Sequence, residues 1–211
     1  MSETDPPLVL IVDDDEAMRR SMAFLFASVG LEAKIFASAA ELLAALPAED
    51  ALRPGAMVLD VRMPGMSGLE LQRHLADRAF PLPALIVTGH GDVPMAVEAL
   101  KAGAFDFIEK PFKEQRLLDT VTAAIRVSEE SLSRNTRRRA IEERLGRLGR
   151  REQEVLVGIL AGKANKVIAY ELDLSIKTIE AYRASVMAKM KAGSVAELAL
   201  MVSSLDGHDL R

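Results

Sequence analysis

Two hydrophobic patterns alternate along the first 126 residues of the chain. Short runs that are almost wholly apolar predict strands buried on both faces, and runs with apolar residues every three or four positions predict amphipathic helices. The predicted strands are Leu8–Val12, Glu32–Phe36, Ala56–Asp60, Ala84–Thr88 and Phe105–Ile108. The predicted helices cover residues 16–28, 38–46, 68–78, 93–102 and 113–126. Five alternations predict an α/β doubly wound fold with a five-stranded parallel sheet.

The pattern changes after residue 126. Residues 127–144 are rich in Arg, Glu and Ser and contain no Pro, and the apolar spacing of the preceding helix continues to Leu132. This favours a linker helix, with a flexible tether as the alternative. The remaining residues predict helices over 148–161, 166–172, 176–190 and 194–204. We therefore expect three parts, a domain over residues 1–126, a linker over 127–144 and a small all-α domain over 145–211.

Composition limits the cellular setting. The chain contains no Cys, which excludes disulfides and thiol chemistry. No apolar stretch reaches the length of a membrane span, and the first apolar run is too short for a signal peptide. We expect a cytoplasmic protein with no membrane partner.

Charge differs between the two parts of the chain. Residues 1–126 carry 12 basic and 19 acidic residues, a net charge of −7. Residues 127–211 carry 15 basic and 12 acidic residues, a net charge of +3. A basic second part favours nucleic acid as its partner, with chance variation of surface charge as the alternative.

Charged residues follow three of the predicted strands. Asp13 and Asp14 come after the first strand, Asp60 ends the third, and Lys110 follows the fifth and precedes Pro111. Thr88 ends the fourth strand and offers a hydroxyl at the same edge. Open α/β sheets bind ligands at the carboxyl ends of their strands. The spacing therefore predicts a site with oxygen ligands for a hard cation and with a carboxylate free to act as a nucleophile.

A hydrolase of the haloacid dehalogenase type is a second interpretation of the first acidic cluster. Such enzymes use an Asp-x-Asp-x-Thr/Val loop after the first strand. Asp13 and Asp15 match the two acids, but Ala17 replaces Thr or Val, and this scheme leaves Asp60 unexplained.

The strand-end motifs IVDDDE, VLDVRMPGMSG and VTGHGDVPMAVEALKAGAFDFIEKPF resemble the receiver domain of two-component response regulators, in particular the FixJ type. The resemblance covers the whole first domain and implies a flavodoxin-like fold. It also implies that a sensor histidine kinase transfers a phosphoryl group to Asp60. Lys110 is then the phosphate partner, and Thr88 and Phe107 form a switch pair; for Phe107 a place in the core is equally compatible.

The same resemblance implies a Mg²⁺ site, in which Mn²⁺ could substitute. The implied ligands are Asp13, Asp14, Asp60 and the backbone carbonyl of Arg62.

The second domain contains two helices, 166–172 and 176–190, joined by a three-residue turn, which is the arrangement of a helix-turn-helix. In the second helix the apolar positions recur at helical spacing and predict an inward face, while the other face is expected to enter the major groove. Thr178, Arg183 and Lys189 are better placed for phosphates than for bases. The residues expected to contact DNA are Lys177, Thr178, Glu180, Ala181, Arg183, Ala184 and Lys189.

The segment RREQEVLVGILAGKANKVIAYELDLSIKTIEAYRASVMAKMKAGS resembles the helix-turn-helix of the LuxR/FixJ type. The resemblance implies double-stranded promoter DNA as a partner and RNA polymerase as a further one. The run Arg137-Arg138-Arg139 in the linker either contacts DNA phosphates or forms a solvated face. The last helix either dimerises on DNA or only packs on the core.

These features together predict a transcription regulator that is phosphorylated on Asp60, forms a homodimer and binds promoter DNA. It is not expected to be a turnover enzyme. The alternative is a degenerate receiver with constitutive, phosphorylation-independent DNA binding.

Overall fold

The computed structural model describes residues 6–46, 53–78, 80–89 and 93–206. The chain divides into two compact units, Met1–Ser133 and Arg134–Arg211. His90, Gly91 and Asp92 of the receiver motif lie outside the described residues, as do residues 1–5 of the first predicted domain and residues 207–211 of the second.

The first unit is built on a parallel sheet. Its strands are β1 (Leu8–Val12), β2 (Glu32–Phe36), β3 (Gly55–Asp60), β4 (Ala84–Thr88) and β5 (Asp106–Glu109), in the spatial order β2-β1-β3-β4-β5. The helices that follow them are α1 (Glu16–Ser28), α2 (Ala39–Ala45), α3 (Gly68–Asp77), α4 (Val93–Lys101) and α5 (Glu114–Gly146). All strand pairs are parallel, so the carboxyl ends of the five strands meet at one edge.

Each face of the sheet is covered by its own set of helices. Alternate strand residues pack with α1 and α5 on one face, and the residues between them pack with α2, α3 and α4 on the other. The strands β1, β3 and β4 are buried along their whole length. Burial on both faces explains why these strands read as continuous apolar runs rather than as alternating ones.

The predicted doubly wound α/β fold is confirmed, and the predicted strand bounds differ from the observed ones by one residue at most. The helix α5 continues through residues 127–144 without a break. The side chain of Ser128 is fully buried in the first unit, where its hydroxyl accepts a hydrogen bond from the N–H of Gly55 at 3.2 Å. Ordered packing therefore extends beyond residue 126, and the predicted domain limits stay a prediction.

The second unit is helical. It contains the end of α5 followed by α6 (Arg150–Leu160), α7 (Asn165–Leu172), α8 (Ile176–Met190) and α9 (Val195–Asp206). Asp173, in the turn between α7 and α8, has a positive φ of 55°, and the hydroxyl of Ser175 accepts a hydrogen bond from the N–H of Thr178 and caps α8. The buried side chains Ile179, Val186 and Met190 hold α8 on the core, as its apolar spacing predicts.

Candidate functional site

Three side chains from three strand ends form one buried ionic cluster in the first unit. Asp13 directly follows β1, Asp60 ends β3, and Lys110 directly follows β5. The ammonium nitrogen of Lys110 lies 2.7 Å from Asp13 Oδ2 and 2.7 Å from Asp60 Oδ1. The side chains of Asp13, Asp60 and Lys110 are 2%, 8% and 18% exposed. One ammonium group therefore bridges two carboxylates that have little access to water.

Backbone groups orient the two carboxylates of this cluster. The N–H of Asp15 donates to Asp13 Oδ1 at 2.9 Å, and the N–H of Arg62 donates to Asp60 Oδ2 at 2.7 Å. Each of the four carboxylate oxygens thus accepts one hydrogen bond. A carboxylate oxygen has room for a second acceptor contact, so the cluster keeps the capacity to bind a further cation or donor.

The electrostatics of the cluster follow from its burial. Burial raises the pKa of the Asp60 carboxyl above its usual range, and the Lys110 ammonium offsets this only in part. Burial alone would lower the pKa of Lys110, but its hydrogen bonds to Asp13 and Asp60 outweigh burial and raise that pKa. The three groups therefore depend on one another, since each carboxylate helps to keep Lys110 charged and Lys110 opposes the protonation of Asp60.

The residues present fit a divalent cation. When ionised, Asp13 and Asp60 carry two negative charges against one positive charge on Lys110, an excess that a bound cation offsets. Asp14, which was also expected to be a metal ligand, is exposed. Within the described residues no three acidic, His or Cys side chains group closely enough to hold a metal. Mg²⁺ needs only one or two carboxylates because it keeps several waters. Asp13 and Asp60 would supply those oxygens.

Thr88 and Phe107 lie on the same face of the sheet, on neighbouring strands. Ile86 of β4 pairs with Phe107, and Thr88 pairs with Glu109 two residues further on. Thr88 is buried, and Phe107 is partly buried against the core formed with α2, α3 and α4. The carbonyl of Thr88 accepts a hydrogen bond from the N–H of Lys110 at 2.8 Å. Thr88 therefore contacts the backbone of the ionic cluster, and Phe107 lies on the neighbouring strand in the core. Their switching role stays a prediction.

Gly68 belongs to this site through its backbone, and sequence reasoning missed it because glycine has no reactive side chain. It is the first residue of α3, and a Cβ atom at this position would lie 2.1 Å from the carbonyl oxygen of Asp60. The N–H of Gly68 donates to the carbonyl of Val61 at 3.2 Å. The close approach sets the path of the chain directly after Asp60.

We expect Gly68→Ala to lower the free energy of unfolding by about 1–3 kcal/mol, because the new Cβ must push the Asp60 backbone away. Urea unfolding followed by circular dichroism measures this effect. Gly146→Ala is the control: a Cβ there meets nothing within 4 Å, so stability should be unchanged or rise by up to about 1 kcal/mol. Equal stabilities of the two variants would contradict the prediction.

The predicted DNA-binding residues lie along α8. Lys177, Glu180, Ala181, Ala184 and Lys189 are exposed, and Thr178 and Arg183 are partly buried. The hydroxyl of Thr178 is hydrogen-bonded to that of Ser175 at 2.8 Å. The outer face of α8 is therefore available to DNA, and the individual contacts stay predictions.

A second charged cluster, at Glu152, was missed by reasoning from the sequence. The buried carboxylate of Glu152 on α6 accepts hydrogen bonds from Lys189 Nζ at 2.6 Å, from Ser185 Oγ at 2.6 Å and from the N–H of Gly149 at 2.7 Å. Lys189 Nζ also donates to the carbonyl of Arg147 at 3.3 Å. The hydrogen bonds from Lys189, Ser185 and Gly149 lower the pKa of Glu152 to about 2. The cluster ties α8 to the start of α6.

Lys189 is therefore engaged within the protein, although it was expected to contact a phosphate. An ammonium group has three N–H donors, and Glu152 and Arg147 use two of them. The third N–H leaves the predicted phosphate contact possible. A Glu three residues after Gly149 at a helix start was the only sequence signal for the Glu152 cluster.

The fold and the strand-end site define a receiver domain, and the second unit is a helix-turn-helix. The family described as the response regulator receiver domain matches residues 9–122, and the family described as bacterial regulatory proteins, luxR family, matches residues 147–202. The chain belongs to the response regulators that combine a receiver domain with a LuxR-type DNA-binding domain. It is thus a regulator of transcription by family, not a turnover enzyme.

Relatives cover nearly the whole chain. The transcriptional regulatory protein FixJ of Bradyrhizobium diazoefficiens is 47% identical over 190 residues, which are 90% of this chain and 91% of that protein. The C4-dicarboxylate transport transcriptional regulatory protein DctR of Rhodobacter capsulatus is 45% identical over 195 residues, 92% of this chain and 98% of that protein.

Solved structures agree with this assignment. The response regulator StyR matches with a TM-score of 0.86 and 38% identity, covering 94% of this chain and 98% of that one. Full-length FixJ from B. japonicum matches with a TM-score of 0.57 and 44% identity, covering 96% and 98%. Among the described helices, none combines the length and the apolar character that crossing a membrane requires.

Proposed function

We propose that a sensor histidine kinase phosphorylates this response regulator on Asp60 with Mg²⁺ bound, and that phosphorylation promotes dimerisation and promoter binding. The observation that carries the proposal is the buried cluster of Asp13, Asp60 and Lys110 at one edge of the sheet. The cluster has an excess of negative charge, and its two carboxylates are held in place and offer oxygen ligands to a metal. These properties suit a phosphoacceptor that works with a divalent cation.

The chemistry assigned to Asp60 is a phosphoryl transfer. An oxygen of the Asp60 carboxylate forms a new P–O bond as the P–N bond to the kinase histidine breaks, and the histidine nitrogen leaves with the bonding electron pair. Bound Mg²⁺ supplies charge neutralisation for the approaching phosphoryl oxygens. Lys110 donates to a phosphoryl oxygen as a compact positive charge. The N–H of Arg62, which already donates to Asp60, keeps the acceptor carboxylate oriented.

The phosphoryl group is expected to change the surface of α4 and β5. Thr88 and Lys110 are drawn toward the phosphate, and Phe107, which packs on the core beside α4, turns further inward. The helix α4 presents the exposed apolar side chains Val93, Val97 and Leu100, and we propose that two copies pair there. Phosphate shifts a population between two states rather than building a new structure. The helix-turn-helix of the dimer then binds promoter DNA, with RNA polymerase as a further partner.

Intact mass spectrometry of wild type, Asp60→Asn and Asp119→Asn tests the acceptor. Each protein is incubated with Mg²⁺ and acetyl phosphate, and its oligomeric state is followed by sedimentation. We expect one phosphoryl group and dimer formation for wild type and for Asp119→Asn, whose exposed carboxylate lies in α5, and neither for Asp60→Asn. Prior chelation of Mg²⁺ should prevent the wild-type adduct.

Two outcomes contradict the proposal. An adduct of equal amount on Asp60→Asn would place the acceptor elsewhere. No adduct on wild type, combined with DNA binding that ignores the phosphodonor, would establish the degenerate receiver with constitutive DNA binding.

A further inference from the structure

The segment from Arg134 to Arg151 is strongly basic. It contains eight Arg and two Glu residues. Its Arg137-Arg138-Arg139 run has no role in the receiver site or in α8, the helix expected to enter the major groove and called the recognition helix below. The outer face of α8 is weakly basic by comparison, because Lys177 and Arg183 are accompanied by Glu180. A domain that binds a polyanion gains most of its affinity from phosphate contacts, so basic residues beyond α8 are of interest.

The end of α5 is fixed to the helix-turn-helix. Ile141 is buried in the core of the second unit, and Leu145 and Leu148 pack in the same core. The guanidinium of Arg144 donates to the carbonyl of Met190, the last residue of α8, at 3.2 Å. Residues 141–148 therefore hold a fixed position relative to the recognition helix.

Helical periodicity places some of the arginines on this packed face. Arg137 precedes Ile141 by four residues and Arg134 by seven, so both lie on the stripe that Ile141 and Leu145 bury. At 1.5 Å per residue they are about 6 Å and about 10 Å beyond Ile141 along the helix axis. Both are exposed. They therefore extend the packed face of α5 past the point where it leaves the core.

The two arginines next to Arg137 differ from it, one in the helix face on which it lies and the other in its ion pair. Arg139 is two residues from Ile141 and so projects from the opposite face of α5. Arg138 is partly buried and forms an ion pair with Glu142 at 2.8 Å. At the end of α8, Lys191 directly follows Met190 and is exposed. Arg134 and Arg137 are thus exposed cations on the part of α5 that precedes Ile141, and Lys191 is an exposed cation at the carboxyl end of α8.

We propose that Arg134, Arg137 and Lys191 form a basic rim that contacts DNA phosphates flanking the base pairs read by α8. This rests on the proposed DNA-binding function. The rim belongs to the same compact unit as α8, so it reaches the duplex together with the recognition helix. Guanidinium groups bind phosphate oxygens through paired hydrogen bonds, and contacts of this kind position a protein without specifying sequence. The rim compensates for the low positive charge of the α8 face.

DNA affinity as a function of salt tests the rim. The full-length proteins, treated with Mg²⁺ and acetyl phosphate, are titrated onto a duplex that wild type selects from a random-sequence pool, at several KCl concentrations. The double variant Arg134→Gln/Arg137→Gln removes two rim charges while keeping good helix formers. Arg139→Gln is the matched control on the opposite face. The same duplex without its flanks is used in parallel.

The double variant should bind about tenfold or more weakly at about 0.1 M salt, and its slope of log K against log [KCl] should fall by about 1–2. Its base preference should be unchanged, and removal of the flanks should weaken wild type but not the double variant. Arg139→Gln should behave as wild type. Failure of wild type itself to bind any duplex would refute the DNA-binding function, whereas binding by wild type with an equal slope in the double variant would refute the rim alone.

A third result would also overturn the rim. The residues before 127 have a net charge of −7 and are the other polyanion present. If Arg134→Gln/Arg137→Gln raised the DNA affinity of the unphosphorylated protein, the arginines would serve to bind the acidic receiver and not DNA.

Discussion

Replacing Lys110 with Met is expected to lower the free energy of unfolding of the first unit by about 3–5 kcal/mol in the absence of divalent cations. The ammonium group bridges Asp13 and Asp60 at 2.7 Å each, and its removal leaves two buried carboxylates side by side with no counter-charge. The Met side chain is similar in length to Lys and replaces its apolar stem. The loss of stability therefore reports the missing charge and not a change in packing. Lys113→Met, an exposed position three residues away, should change stability by no more than about 0.5 kcal/mol.

The two units can be observed separately in this experiment. The chain has two Tyr and no Trp, and both Tyr170 and Tyr182 belong to the second unit. Urea unfolding followed by tyrosine fluorescence therefore reports the second unit, while circular dichroism reports both. Lys110→Met should shift the dichroism transition and leave the tyrosine transition in place. A shift of both transitions would show that the variant perturbs more than the ionic cluster.

A double variant checks the electrostatic cause. Asp13→Asn added to Lys110→Met removes one of the two opposed charges and should recover part of the lost stability, although each change alone removes a native contact. Such non-additivity is the signature of residues in one network. Mg²⁺ should likewise stabilise Lys110→Met, since an ion that binds the folded state shifts the equilibrium toward it. Strictly additive losses would mean that the two carboxylates do not repel one another in the folded chain.

The ionic cluster was predictable from the sequence, because parallel strands end at a shared edge whatever packs around them. Asp60 and Lys110 could be assigned to the site from their positions at the ends of apolar runs alone. The position of Gly68 at a helix boundary can be recognised in the sequence. Its close approach to the Asp60 carbonyl cannot, because it depends on the path of the turn, and hydrophobic periodicity does not predict that path.

The second unit shows where such reasoning stops. The apolar spacing of α8 identified its inward face correctly, yet Lys189 was expected to contact a phosphate and its partner within the protein was not foreseen. Its partner Glu152 lies 37 residues away on another helix, and the spacing within a helix does not state which element packs against it. Ile141 is a further contact of this kind: it lies in the segment predicted as a linker, and it is 3% exposed in the core of the second unit.

Replacing Glu152 with Gln is expected to lower the free energy of unfolding of the second unit by about 2–3 kcal/mol at neutral pH. The carboxylate is 9% exposed and accepts hydrogen bonds from Lys189, Ser185 and Gly149, and hydrogen bonds to a charged group are the strong ones. Gln preserves the volume but removes the charge, and its amide nitrogen cannot accept the bonds that Oε2 receives. Glu154→Gln is the control, because its partners Arg150 and Arg151 are exposed and such pairs contribute little.

The pH dependence of this loss identifies its cause. The folded pKa of Glu152 is about 2 against an ordinary value of 4.5, so between these values the unfolded chain binds the proton and the folded chain does not. Stability from this group is therefore complete above about pH 4.5 and is lost as pH falls toward about 2. The difference between wild type and Glu152→Gln, measured by urea unfolding with tyrosine fluorescence, should shrink over that range. A difference that stays constant from pH 6 to pH 3 would attribute the loss to packing and leave Lys189 free of an electrostatic role in holding α8.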